Sequence, residues 1–363
     1  MIDLGNFSLL VIFLVFFFGM LLVSLAITGL LLKFSTNLGS KNEGDQVRWA
    51  ATTKPAFGGV SFFMIFLASI VFYAIFFSNS QILLNAKFLG LLIGTSMGFM
   101  MGLADDAYNT KPFLKFVVQF LVAIIFIATG NVITTFQYEW LNITLTILWV
   151  VGMMNSVNML DNMDAITASV SVVICAAAGL VLAFGEHYTD IDLILILGVI
   201  SGIGGFLYYN WNPSRMYMGD SGSQFLGAFL AGIGMTYFWN APDYYGQLIP
   251  EKQVIIVALI FIIPLADTTT VSINRLLKGK SPFVGGRDHT THHLSYMGLS
   301  DRHVAMLMIF ISIVTMGLSV LIINNIQNWT GMHTFAFGVL FLIVAGLLYS
   351  TTRFSKPKLK RDS

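Results

Sequence analysis

Eleven runs of apolar residues, near 8–32, 56–77, 87–103, 113–130, 142–154, 165–185, 191–209, 223–240, 253–275, 303–324 and 334–352, constrain this chain more than any other feature. An α-helix rises about 1.5 Å per residue, so about 20 apolar residues cross the roughly 30 Å of hydrocarbon in a bilayer. Lipid offers no partner for a bare backbone N–H or C=O, and a helix satisfies both within the segment. The sequence therefore predicts an all-α polytopic membrane protein of about eleven transmembrane helices. With 56% hydrophobic residues, 10% charged residues and a mean hydropathy of +0.80, the soluble globular classes are excluded. The first run is longer than a signal-peptide core and follows Asp3 rather than basic residues, so it is read as a retained span. The run at 142–154 is short, and reaches full length only if its helix continues into the polar residues from Asn155.

The net charge of +1 says little, but its distribution says more. With eleven spans, all 19 lysines and arginines except Lys87 and Lys252 fall on one side. The positive-inside rule then puts the N-terminus outside and the C-terminus in the cytoplasm. There is no internal repeat and no domain boundary, so residues 1–363 read as a single integral membrane domain, with a basic cytoplasmic tail at 353–363 lying near anionic headgroups. The single Cys175 cannot form an internal disulfide, and nothing in the charge pattern points to nucleic acid.

Polar constellations gather in the inner segments. Asn155, Asn158, Asp161 and Asp164 recur every third residue, which on a helix would make one spiralling polar row. Gly90, Gly94, Gly98 and Gly102 strip one helix face for close packing and deliver Asp105-Asp106 to the membrane edge. Other inner segments hold Lys54-Pro-Ala-Phe-Gly-Gly, Lys111 and Lys115, Asn210-Trp-Asn212-Pro-Ser-Arg215, Gly219-Asp220-Ser-Gly-Ser, and Arg287-Asp288-His289-Thr-Thr-His292-His293. Five aspartates at one face (105, 106, 161, 164 and 220) would repel one another unless a cation lies among them. Carboxylates with room for water and phosphate suit Mg²⁺, or Mn²⁺ in its place, rather than zinc. Adjacent His292 and His293 point in different directions on a helix, which favours contacts to phosphate or ribose over a shared metal. Asp267, inside the ninth run and eight residues before Arg275, is expected in an internal ion pair or an inter-helix hydrogen bond.

Taken in order on one membrane side, these blocks resemble the polyprenyl-phosphate N-acetylhexosamine-1-phosphate transferases, over about residues 48–300. The resemblance implies transfer of a sugar phosphate from a UDP-N-acetylhexosamine to undecaprenyl phosphate, with release of UMP, at a bacterial inner membrane. It implies Asp105 as the base toward the lipid phosphate, Asp106 beside metal and diphosphate, and Asp220 as Mg²⁺ ligand with Asp161 near the metal. Lys54, Lys111, Lys115, Asn155, Asn158, Asp164, Arg287, His292 and His293 are implied as substrate-binding. A homodimer is compatible with this reading. Phosphoryl transfer needs positioning and charge neutralisation, so direct attack by the lipid phosphate is favoured over an aspartyl intermediate.

The chain also departs from the family pattern. Glycine often follows each aspartate of the central motif, where this chain has Asn162 and Ala165. The histidine block often reads His-x-His-His, whereas His289 lies three residues before His292. The latter looks more like the N-acetylglucosamine branch than the N-acetylmuramoyl-pentapeptide branch. An ion-coupled transporter is the rival of another class; it would place acids at mid-membrane and show repeat symmetry.

Overall fold

The computed structural model describes residues 6–37, 54–77, 84–185, 191–242, 248–282 and 286–355. Thirteen α-helices are found among them: α1 (Asn6–Asn37), α2 (Gly58–Phe76), α3 (Ala86–Tyr108), α4 (Pro112–Ala128), α5 (Glu139–Leu160), α6 (Ile166–Phe184), α7 (Ile191–Asn210), α8 (Gly219–Gly234), α9 (Pro250–Ile260), α10 (Ile262–Leu277), α11 (Thr290–Tyr296), α12 (Asp301–Asn325) and α13 (Gly331–Phe354). The chain is an all-α, multi-pass membrane protein. Arg353 and Phe354 belong to α13, and the rest of the basic tail, from 356, lies outside the described residues.

Eight of these helices are long and apolar enough to cross a membrane, or nine if α9 and α10 form one broken span. The expected eleven are not reached, for three local reasons. Helix α4 starts at Pro112, where a missing N–H costs nothing, and ends at Ala128, which leaves it 17 residues long, about 25 Å. The run at 223–240 becomes α8 and a π-turn at Met235–Trp239, with every α8 residue buried except Asp220. The run at 253–275 breaks at Phe261, where α9 and α10 diverge by 82°. Pro264 accounts for the break: it has no N–H to give, and its ring clashes with the carbonyl four residues back, at Ile260.

Because α8 is enclosed, its neighbours set the position of everything at its N-terminus. Helices α2, α3 and α5 pack against it. Phe62, Phe63 and Phe66 of α2 meet Phe225 edge-on or tilted, and Phe63 stacks on Phe99 of α3 at 3.9 Å between ring centres. At Gly102 the approach is closest, since a Cβ there would lie 2.1 Å from the Asp220 carbonyl oxygen. The glycine face of α3 is therefore a packing face, and it holds the end of α3 against the start of α8.

Candidate active site

A cavity of about 620 Å³ opens where the ends of α3, α4, α5, α8 and α10 meet the α10–α11 loop. Gly219, with φ of +75°, turns the chain into α8 so that Asp220 sits in its first turn. Both oxygens of Asp106 accept the amides that open this helix, from Asp220 N at 2.8 Å and Ser221 N at 2.9 Å. A carboxylate from α3 thus serves as the cap that α8 does not supply itself.

Beside it, the Lys115 ammonium lies 2.5 Å from Asp105 Oδ2 and 2.6 Å from Asp220 Oδ2. The other oxygen of Asp105 accepts from Thr110 N at 2.8 Å and Thr110 Oγ1 at 2.5 Å. Asn158 Nδ2 reaches Asp220 Oδ1 at 3.1 Å and Ser223 Oγ at 2.8 Å. Deeper in, Asn155 donates to Gln119, which donates to Gln224, so a chain of amides runs from the cavity into the buried core. Gln119 is a residue the sequence reading passed over, although a lone amide in the apolar run at 113–130 was a visible signal.

Of the residues expected at the site, Asp105, Asp106, Lys115, Asn155, Asn158, Asp161, Asp220 and His292 line this cavity. The expected polar row does not run on to Asp164, because α5 ends at Leu160 and Asp161 caps it in a non-helical conformation. The chain then turns, and Asp164 binds Ser214 N at 2.9 Å, Ser214 Oγ at 2.7 Å and Asn212 Nδ2 at 3.2 Å. Lys54 joins the same network through Ser214 Oγ at 3.0 Å and lies over the Tyr217 ring. Ala165 adopts φ of +66°, the conformation a glycine would take without strain. Lys111 is exposed at the start of α4, and Arg287 is exposed with its carbonyl accepting from Tyr296. His293 turns from the cavity to donate from Nδ1 to Ser355 Oγ at 2.6 Å, since the Ser355 hydroxyl proton goes to Thr351 O.

Helix α10 fixes the histidine loop with two contacts. Arg275 holds Asp288 through two bonds of 2.9 and 2.6 Å, and Asp267 binds His289 Nδ1 at 2.8 Å and Thr290 at its backbone N and Oγ1. Asp267 therefore makes the inter-helix bond expected of it. Burial raises the Asp288 carboxyl, but the Arg275 bonds outweigh it and hold the group below the usual carboxylate range. Burial pushes His292 down to about 3, which makes it a neutral ring at pH 7.

Among the described residues no three His, Cys, Asp or Glu side chains converge on one point. Asp105 and Asp220 nevertheless share a cation already, the Lys115 ammonium. Such a site fits Mg²⁺ held by one or two carboxylates and completed by substrate phosphates and water, rather than an all-protein cage.

The model described as glycosyl transferase family 4 matches residues 88–238, which include the two aspartates of α3, the Asn155–Asp164 segment and Asp220. A phospho-N-acetylmuramoyl-pentapeptide-transferase of Streptococcus pneumoniae (strain 70585) is 30% identical over 264 residues, 68% of this chain and 76% of that protein. The chain belongs to glycosyl transferase family 4. A second relative, a probable undecaprenyl-phosphate N-acetylglucosaminyl 1-phosphate transferase of Bacillus subtilis (strain 168), is 25% identical over 359 residues, 94% of this chain and 96% of that protein. A third, a decaprenyl-phosphate N-acetylglucosaminephosphotransferase of Mycobacterium leprae (strain TN), is 25% identical over 309 residues, 76% of this chain and 75% of that protein.

Proposed function

We propose that this chain transfers N-acetylglucosamine 1-phosphate from UDP-N-acetylglucosamine to undecaprenyl phosphate, releasing UMP, as the first membrane step of a cell-envelope glycan pathway. The observation that carries this reading is the Lys115 ammonium between Asp105 and Asp220 in a cavity at one end of the helices. A lipid-borne acceptor requires a site at the membrane edge, and a diphosphate donor requires positive charge and oxygen-rich ligands beside it. The near full-length match to the Bacillus subtilis protein favours the N-acetylglucosamine donor. We place the cavity at the cytoplasmic face of a bacterial inner membrane, the side to which the basic residues point.

Lys115 supplies fixed positive charge to the phosphates, and Asn158 holds Asp220 in place from the neighbouring helix. Mg²⁺, taken up by Asp220 and Asp161 together with the donor phosphates, would neutralise charge on the transferring phosphoryl group. Asp164 and Lys54 order the loop at 212–217 beside the site. The acceptor phosphate attacks the sugar-bearing phosphorus, and the bond from that phosphorus to the UMP oxygen breaks.

The reading is tested with purified protein, undecaprenyl phosphate, Mg²⁺ and a panel of UDP-hexosamines, measuring UMP release. UMP release with UDP-N-acetylglucosamine supports it, and release only with UDP-N-acetylmuramoyl-pentapeptide would move the chain to the branch of the streptococcal relative. No release with any donor would sink both.

A further inference from the structure

Asp105 has both of its oxygens engaged. One of its oxygens faces an ammonium at 2.5 Å and the other accepts two hydrogen bonds from Thr110. A proton arriving at Asp105 would have to displace one of these contacts.

The cavity holds a better placed group. His289 lines it, and Nδ1 of the ring meets Asp267 Oδ2 at 2.8 Å. Asp267 is buried, and its second oxygen accepts from Thr290 N at 2.8 Å and Thr290 Oγ1 at 2.6 Å. A carboxyl group is a stronger acid than an imidazolium, so of the two Asp267 is the ionised acceptor and the ring turns an N–H toward it at Nδ1. That choice leaves Nε2 with its lone pair, and Nε2 is the ring nitrogen with no partner among the described residues. Of the neighbouring groups, Arg275 is bound to Asp288, and His292 is a neutral ring tilted against His289 with 5.5 Å between ring centres.

We propose that Asp267 is a positioning residue that fixes His289 in the Nδ1–H tautomer, so that Nε2 accepts the remaining proton of the acceptor's phosphate monoester. The inference rests on the phosphotransfer reading above. In this step the phosphate O–H bond breaks and an N–H bond forms at Nε2. The electron pair left on oxygen makes the new bond to the sugar-bearing phosphorus. The electron pair of the broken P–O bond leaves on UMP, and His289 later releases its proton to water. A phosphate monoester has its second pKa near about 6, so at pH 6.5 part of the acceptor still carries the proton that His289 removes.

The experiment measures UMP release at pH 6.5 for the wild type, His289→Ala, His289→Gln and Asp267→Asn, with donor affinity measured in parallel. His289→Ala is expected to lose about tenfold or more in kcat, the lower part of the range for general-base groups, with the donor KM within about twofold. Added imidazole is expected to restore a measurable part of that loss in His289→Ala and none in His289→Gln, where the cavity stays filled. Asp267→Asn should lose a similar factor, since an amide that donates to Nδ1 forces the proton onto Nε2. An active wild type whose His289→Ala variant binds donor but keeps its kcat, or ignores imidazole, would overturn the dyad and leave the transferase reading standing. A wild type that releases no UMP overturns that reading and the dyad with it.

Discussion

Asp106 holds the backbone amide of Asp220 at 2.8 Å, so the second aspartate of α3 fixes the start of the helix that carries the metal-ligand candidate. Its role is first structural: one carboxylate satisfies two amides that no α8 side chain reaches. In Asp106→Asn one of those acceptor oxygens becomes an NH₂ facing an N–H. We expect a loss of about 1 kcal/mol in stability, as for other lost caps, and a large fall in UMP release because Asp220 shifts. Thermal unfolding beside the activity assay separates the two effects; an unchanged melting temperature would remove the capping role.

Lys115 stands between Asp105 and Asp220, and Lys115→Met leaves the two carboxylates facing each other without their shared cation. Activity is expected to fall by about 10²-fold or more, the scale for losing a preorganised charge in a phosphoryl-transfer site. Lys115→Arg keeps the charge but not the point geometry, and should retain a fraction of it. Full activity in Lys115→Met would show that the ammonium is dispensable to the chemistry.

How much of this was legible can be read residue by residue. The apolar runs located the helices because lipid forces the pattern, but the run at 253–275 was read as one span and its break near Pro264 was not. The site aspartates stood out as charges at span ends. What stayed hidden depends on contacts between distant segments: Asp106 reaches α8 across 114 positions of sequence, and Asp164 reaches Ser214 across 50. The three-residue spacing from Asn155 suggested one row, but spacing cannot show that α5 stops at Leu160. His289 and Asp267 were each visible as polar residues, while their pairing required the α10–α11 turn.

At Ala165 the departure from the family's glycine has a measurable cost. A φ of +66° strains any residue with a Cβ by about 1–2 kcal/mol. Ala165→Gly relieves that strain but adds freedom to the unfolded chain, which offsets roughly 0.5–1 kcal/mol. The expected result is a melting temperature equal to or slightly above that of the wild type, with activity retained. Ala165→Val, with a β-branched side chain in the same conformation, should destabilise the protein. A clear loss of stability in Ala165→Gly would mean that the methyl group packs to more effect than the strain.

Gly102 tests the packing of α3 on α8 with the smallest change available. A methyl group there meets the Asp220 carbonyl oxygen at 2.1 Å and the Ser221 nitrogen at 2.4 Å, and both are backbone atoms that cannot swing aside. The start of α8 must move, taking Asp220 away from Lys115. Gly102→Ala is therefore expected to remove most activity although it touches no polar group, whereas Gly152→Ala, where a Cβ meets nothing within 4 Å, should be active. Equal activity of the two variants would break the link between this contact and the site.

His292 gives the stability a pH dependence whose sign is fixed. Burial holds the folded ring down to about 3 from an ordinary value of 6.5, so between these values the unfolded chain binds more protons than the folded one. Stability then rises with pH across that window. The contribution is fully present above 6.5 and is lost as the pH falls toward about 3. His293 is lowered by burial as well and adds to the same slope. Thermal unfolding at a series of pH values from 7.5 downward should show the wild type losing stability steadily on acidification. His292→Gln, which cannot take up the proton, should lose less over the same interval, although its stability at neutral pH is lower. Parallel curves for the two proteins would mean that the buried ring is not what sets the acid sensitivity.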